Sequence, residues 1–157
     1  EPMRSICAAI KTILKQNPGF RVVFPVHKNP IVRETVFPEL QNVPEVVLIE
    51  PPGYEPFVHL MKRAYLILSD SGGVQEEAPS LGKPVLVLRQ TTERPEGVEA
   101  GSARLVGTDA ASVVAEAERL IHDPEAYDSM ARVNNPYGDG RASERIWKAI
   151  EARFLET

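Results

Sequence analysis

Apolar and polar positions along the chain follow two alternating rhythms. Ile6, Ala9, Ile10, Ile13 and Leu14 recur at helical spacing, with Pro2 suited to a first turn and Asn17-Pro18-Gly19 to a stop. Between helical segments lie short unbroken apolar runs: Phe20 to Val26, Val46 to Glu50, Tyr65 to Ser69, Pro84 to Leu88, and a shorter one from Ala103 to Val106. Such runs, without polar alternation, predict strands covered on both faces of a parallel sheet. Further helices are predicted over 30–40, 54–64, 73–81, 110–122, 124–131 and 142–155. Pro38 is expected to kink or shorten the first of these. The stretch from Thr91 to Gly101 is polar and irregular, with room for one helical turn.

Strand and helix alternating over short connections predict an α/β fold, a doubly wound, Rossmann-like parallel sheet with right-handed crossovers. No internal repeat, low-complexity tract or linker interrupts it, so 1–157 reads as one domain with one core. The chain enters a helical pattern at once, whereas such a sheet usually begins with a strand. The expectation is therefore a fragment of a longer protein.

In doubly wound sheets ligands bind beyond the carboxyl ends of the strands. His27-Lys28-Asn29, Glu50-Pro51-Pro52, Asp70-Ser71-Gly72-Gly73 and Arg89-Gln90-Thr91 fall there, and they are richer in polar chemistry than the opposite ends. Ser69-Asp70-Ser71-Gly72-Gly73-Val74-Gln75-Glu76-Glu77 takes an apolar strand straight into Ser-Gly-Gly and then a helix. Two glycines remove side chains that keep an anion off the backbone, and a helix start supplies unpaired N–H groups and partial positive charge. That is a cradle for a diphosphate; it is equally the mark of a tight turn with a serine cap.

Glu76 and Glu77 follow. A carboxylate there repels phosphate but suits the vicinal hydroxyls of a ribose, and only one of two neighbours can face the site. Arg89, Glu93 and Arg94 are either a surface cluster or the source of a forked contact to phosphate. Phe57 reads as a core aromatic or as a ring stacked on a base. His27 ends the first strand, and no spacing of histidines and carboxylates predicts a metal site. His59 and His122 fall on helix surfaces. Asn134 to Gly140 has the composition of a structured turn fixing the last helix, whose Ile146, Trp147, Ile150 and Phe154 form a packing face. If a partner domain is missing, part of that face is expected to be exposed.

Composition narrows the partners. A net charge of −4 gives no basic character for nucleic acid or an anionic membrane, so any anion site is local. The single cysteine, Cys7, excludes an intrachain disulfide and a Cys-rich metal site, and its place in a helical run predicts a buried structural thiol. No stretch approaches the ~20 apolar residues of a membrane span, and no charged-then-apolar leader opens the sequence. A cytoplasmic setting is expected. The sequence has no nucleophile elbow, zinc-protease pair or other self-contained acid/base arrangement.

Taken in order, six segments carry a resemblance that none carries alone. They are Val26-His27-Lys28-Asn29-Pro30, the run from Ser69 to Pro79, Gly82 to Leu86, Thr91 to Glu96, Leu105 to Thr108, and Asn135 to Gly140. Together they resemble the C-terminal half of non-hydrolysing UDP-N-acetylglucosamine 2-epimerases, over essentially the whole chain. The resemblance implies one half of a glycosyltransferase-B type fold, with two doubly wound domains facing a cleft and the N-terminal domain not included in this chain. It implies interconversion of UDP-N-acetylglucosamine and UDP-N-acetylmannosamine by elimination and re-addition of UDP, without a cofactor, in a homodimer. On matching positions it implies Ser71, Gly72 and Gly73 at the diphosphate, Glu77 at the ribose, Phe57 near uracil and Arg94 at the nucleotide or phosphates. It also implies a place for His27 in a regulatory substrate site. The family's acid/base carboxylates lie in the other half, so no catalytic residue is expected in this chain and the chain alone is expected to be inactive. Half of a nucleotide-sugar glycosyltransferase, or a regulatory nucleotide-binding domain, are the competing readings.

Overall fold

The computed structural model describes residues 1–154. Helix α1 (Pro2–Gln16) leads to β1 (Val22–Pro25), α2 (Pro30–Leu40), β2 (Val46–Ile49), α3 (Tyr54–Arg63) and β3 (Ile67–Ser69). There follow α4 (Gly72–Glu77), a 3-10 turn (Ala78–Leu81), β4 (Val85–Val87), α5 (Pro95–Ala100), β5 (Ala103–Leu105), α6 (Ala110–His122), α7 (Pro124–Ala131) and α8 (Ala142–Phe154). The predicted end of the last helix, residue 155, lies outside the described residues.

Every strand pairing is parallel, as the apolar runs predict, and the pairings form two ladders. One pairs β1 with β2, Val22 opposite Val46. The other orders β3-β4-β5, with Ile67 opposite Val85 and Val85 opposite Ala103. Helix α1 joins them. Its Ile6, Cys7, Ile10 and Leu14 pack with Val26, Val36, Leu40 and Val46. Its Ala9 and Ile13 pack with Leu86 and with Val113, Ala117 and Leu120 of α6. Buried Asn17 locks this arrangement, donating from Nδ2 to the Ile13 carbonyl (2.8 Å) and to Glu118 Oε1 (2.5 Å) on α6. Cys7 is fully buried, and burial pushes its thiol above the ordinary pKa.

Three expectations need correction. Strand β4 is covered on both faces, with Val85, Leu86 and Val87 at 0% exposure, but Val23 and Val47, opposite each other on β1 and β2, are each 46% exposed. No described residue closes that face. Pro38 does not shorten α2. It lies exposed in the last turn, the carbonyl it leaves unbonded belongs to exposed Glu34, and Gln41 N–H still donates to the Phe37 carbonyl at 3.0 Å. Water can therefore replace the one missing bond. The helix predicted over 73–81 changes pitch at Ala78, just before Pro79, becoming the 3-10 turn that Gly82 ends with φ +65°.

Candidate functional site

Strand β3 delivers the chain to the start of α4 at the carboxyl edge of its ladder. Ser69 Oγ accepts the Ser71 N–H at 3.1 Å, which shapes the corner. Ser71 is the residue before α4, yet its side chain makes no capping bond. Neither Gly72 nor Gly73 has a left-handed φ. A Cβ on Gly73 would meet only Ser71 Oγ at 3.8 Å, and one on Gly72 only the Arg94 guanidinium, also at 3.8 Å. Glycine is thus required here neither by backbone conformation nor by packing. What the two glycines leave is open space over N–H groups that have no protein acceptor among the described residues.

Arg94 closes this space from the other side. It precedes α5, and its side chain reaches across to α4, where Nε pairs with Glu76 Oε1. That hydrogen bond raises the guanidinium pKa, so the charge is permanent. The backbone N–H of Arg94 donates to Thr92 Oγ1 (3.0 Å), and the Thr92 hydroxyl donates to Gln75 Oε1 (2.7 Å). Gln75 Nε2 in turn donates to the Ser71 carbonyl (3.3 Å). The Arg94 segment and the Ser71 corner are therefore two ends of one hydrogen-bonded chain through Gln75, which is 1% exposed. The site is a guanidinium, paired with Glu76, 3.8 Å from the place a Gly72 side chain would fill, beside amides with no protein acceptor among the described residues.

The UDP-N-acetylglucosamine 2-epimerase family model matches residues 1–151. The chain belongs to this family. The UDP-N-acetylglucosamine 2-epimerase of Salmonella typhimurium is 56% identical over 147 residues, which are 94% of this chain and 39% of that protein. The Neisseria meningitidis UDP-GlcNAc 2-epimerase structure bound to UDP-GlcNAc matches with TM-score 0.91 and 49% identity, over 96% of this chain and 41% of that one. The S. aureus MnaA-UDP structure matches with TM-score 0.93 and 46% identity, over 99% and 43%. The chain thus spans about two fifths of the length of the relatives it matches. No helix among the described residues is long and apolar enough to cross a membrane.

In this epimerase-family chain the other expected site residues are placed as follows. Glu76 and Glu77 differ in their partners: Glu76 is paired with Arg94, while Glu77 has no hydrogen-bond or ion-pair partner among the described residues, and both line one cleft. That cleft, of about 450 Å³, is also lined by Tyr54, Val58, Met61 and Tyr137. Phe57 is half-buried and packs against the cluster of Met61, Val74 and Ala78. His27 is exposed on the other ladder, where Nδ1 accepts the Asn29 N–H at 3.1 Å, and no contact joins it to the Ser71–Arg94 site among the described residues. His59 is exposed, and His122 pairs with Glu118 at 3.1 Å on the surface of α6.

Sequence reasoning missed Gln75 and the reach of the Asn135–Tyr137 turn. Gln75 follows buried Val74 in a short amphipathic helix, where a polar residue is easily read as solvated. Replacing Gln75 with alanine removes both side-chain hydrogen bonds of the strut, although the Ser71 carbonyl keeps the Gln75 N–H and Thr92 Oγ1 keeps the Arg94 N–H. A loss of about 1–3 kcal/mol in unfolding free energy is expected by urea titration.

Proposed function

We propose that this chain is the part of a non-hydrolysing UDP-N-acetylglucosamine 2-epimerase that holds UDP while the sugar–phosphate bond breaks and re-forms. The sugar loses the proton on C2, and the C1–O bond breaks with its electron pair leaving on UDP, which gives 2-acetamidoglucal. Protonation of C2 on the opposite face and return of the UDP oxygen to C1 complete the conversion to the mannosamine epimer. The residues that move these protons belong to the longer protein, which we read as a cytoplasmic homodimer.

The share of this chain in the barrier is electrostatic: charge grows on the diphosphate as it departs, and fixed donors stabilise it. Ser71 Oγ and the Gly72 and Gly73 amides donate to one side of the diphosphate and the Arg94 guanidinium to the other. Glu77 accepts from the ribose hydroxyls, and Phe57 packs near uracil. His27 belongs to a separate, regulatory substrate site. The observation that carries the reading is the Arg94 guanidinium, 3.8 Å from the place a Gly72 side chain would fill, above amides with no protein partner.

Calorimetric titration with UDP tests it. Glu77→Ala is expected to weaken binding about tenfold, the loss of a charge-assisted hydrogen bond. His122→Ala, on the α6 surface, is expected to leave affinity unchanged. Equal affinities for the two variants would contradict the assignment.

A further inference from the structure

Arg94 occupies the position before α5, where serine, threonine, aspartate or asparagine would ordinarily cap the helix. Its own side chain carries donors only and cannot accept an N–H; it is directed to Glu76 instead. The cap comes instead from a residue far along the chain. Tyr137 Oη accepts the Gly97 N–H at 2.8 Å, and the same hydroxyl donates to the Arg94 carbonyl at 3.2 Å. One phenol thus ties both ends of the turn that presents Arg94.

Gly97 is built for this contact. A Cβ there would lie 2.8 Å from Tyr137 Oη, so any other residue would push the phenol away. The Gly97 carbonyl accepts from buried Ser102 Oγ at 3.2 Å, so the residue is held from both sides. Two residues earlier in the same turn, Asn135 Nδ2 donates to the Glu76 carbonyl (3.1 Å) and to Ser80 Oγ (2.6 Å). Asn135 Oδ1 accepts the Tyr137 N–H at 3.0 Å. A single turn therefore grips the end of α4 with one residue and the Arg94 segment with another. It fixes the spacing between the two walls of the cradle as well as leading into α8.

We propose that Tyr137 is a positioning residue of the anion site: its hydroxyl caps α5 and holds the Arg94 backbone, and so sets where the guanidinium stands between Glu76 and a bound diphosphate. The inference rests on the reading of Ser71, Gly72, Gly73 and Arg94 as the diphosphate site. Burial pushes the Tyr137 phenol above its ordinary pKa, so it keeps the proton it donates.

The test uses the full chain and two probes, UDP and uridine, followed by nuclear magnetic resonance titration. Tyr137→Phe keeps the ring and removes only the hydroxyl. It is expected to weaken UDP about 3- to 10-fold, to leave uridine unchanged, and to add nothing when Arg94 is already alanine. Gly97→Ala, which displaces the phenol from the opposite side, is expected to give the same pattern. A role confined to folding would weaken both probes alike. Equal losses for UDP and uridine, full additivity with Arg94→Ala, or UDP affinity unchanged in Tyr137→Phe would each overturn the inference. Wild-type chain binding UDP no more tightly than uridine would instead overturn the diphosphate site itself. That result is read without any Tyr137 variant.

Discussion

Arg94→Ala is expected to lower the affinity of the chain for UDP by about 10- to 100-fold, the range for a forked, charge-assisted contact to phosphate. The loss has two parts. One is the guanidinium's own hydrogen bonds. The other is Glu76, which Arg94 neutralises in the structure. Without its partner that carboxylate faces the phosphates as a like charge. The double variant Arg94→Ala with Glu76→Gln is therefore expected to bind UDP more tightly than Arg94→Ala alone. Arg94 and Glu76 side chains are 37% and 39% exposed, so added salt should shrink the difference between the two variants. Titration at two ionic strengths checks all three statements. Stability should barely move, since a half-exposed ion pair contributes little to folding.

Gly73→Ala is expected to move stability and affinity in opposite directions. Gly73 lies in the first turn of α4 with no left-handed φ, and the nearest atom to an added methyl is Ser71 Oγ at 3.8 Å. Alanine fits the backbone and restricts the unfolded chain, so unfolding free energy should rise by about 0.5–1 kcal/mol. The same methyl stands over the free amides and separates them from a phosphate oxygen. UDP affinity should fall by at least about tenfold, the equivalent of one charge-assisted hydrogen bond. A glycine kept for its turn would give the reverse, a less stable chain with binding lost only as the fold is lost. Urea unfolding and UDP titration on one preparation separate the two.

The order of strands and helices was legible because two periods alternate without ambiguity, and the strand-end rule pointed to the edge where Ser71 and Gly72 lie. The misjudged boundaries have a common cause. Phe20 and Tyr65 extend apolar runs and read as strand, but they sit outside the ladders, packed edge to face at 5.9 Å, with Tyr65 stacked on Tyr127 at 4.3 Å. An apolar run reports a wish to be buried and says nothing of the partner. The packing face of α8 was legible as well, and so was its exposure, expected wherever a partner domain lies outside this chain. Ile146, Trp147, Ile150 and Phe154 are 60%, 55%, 41% and 72% exposed, and α8 has no buried residue. That face and the open side of Val23 and Val47 are surfaces whose cover the described residues do not supply.

At the site the limit was of another kind. Glycines beside a serine at a strand–helix junction are readable because their use depends on local backbone. Gln75, Asn135 and Tyr137 are not, because their use depends on residues 17 to 59 positions away. Polar side chains in helices and turns look alike whether they face water or a distant carbonyl. Tyr137 and Gly97 together left one faint trace: a glycine inside the first turn of a helix, where it weakens the helix unless something must come close.

The central claim, that open amides at the head of α4 and a guanidinium above them grip a diphosphate, is tested most directly by a crystal structure of the chain with UDP. The account predicts phosphate oxygens within hydrogen-bonding distance of the Gly72 and Gly73 N–H groups, Ser71 Oγ and the Arg94 guanidinium, with the ribose at Glu77. A nucleotide seated elsewhere, with Arg94 still held by Glu76 and the amides bare, would contradict it.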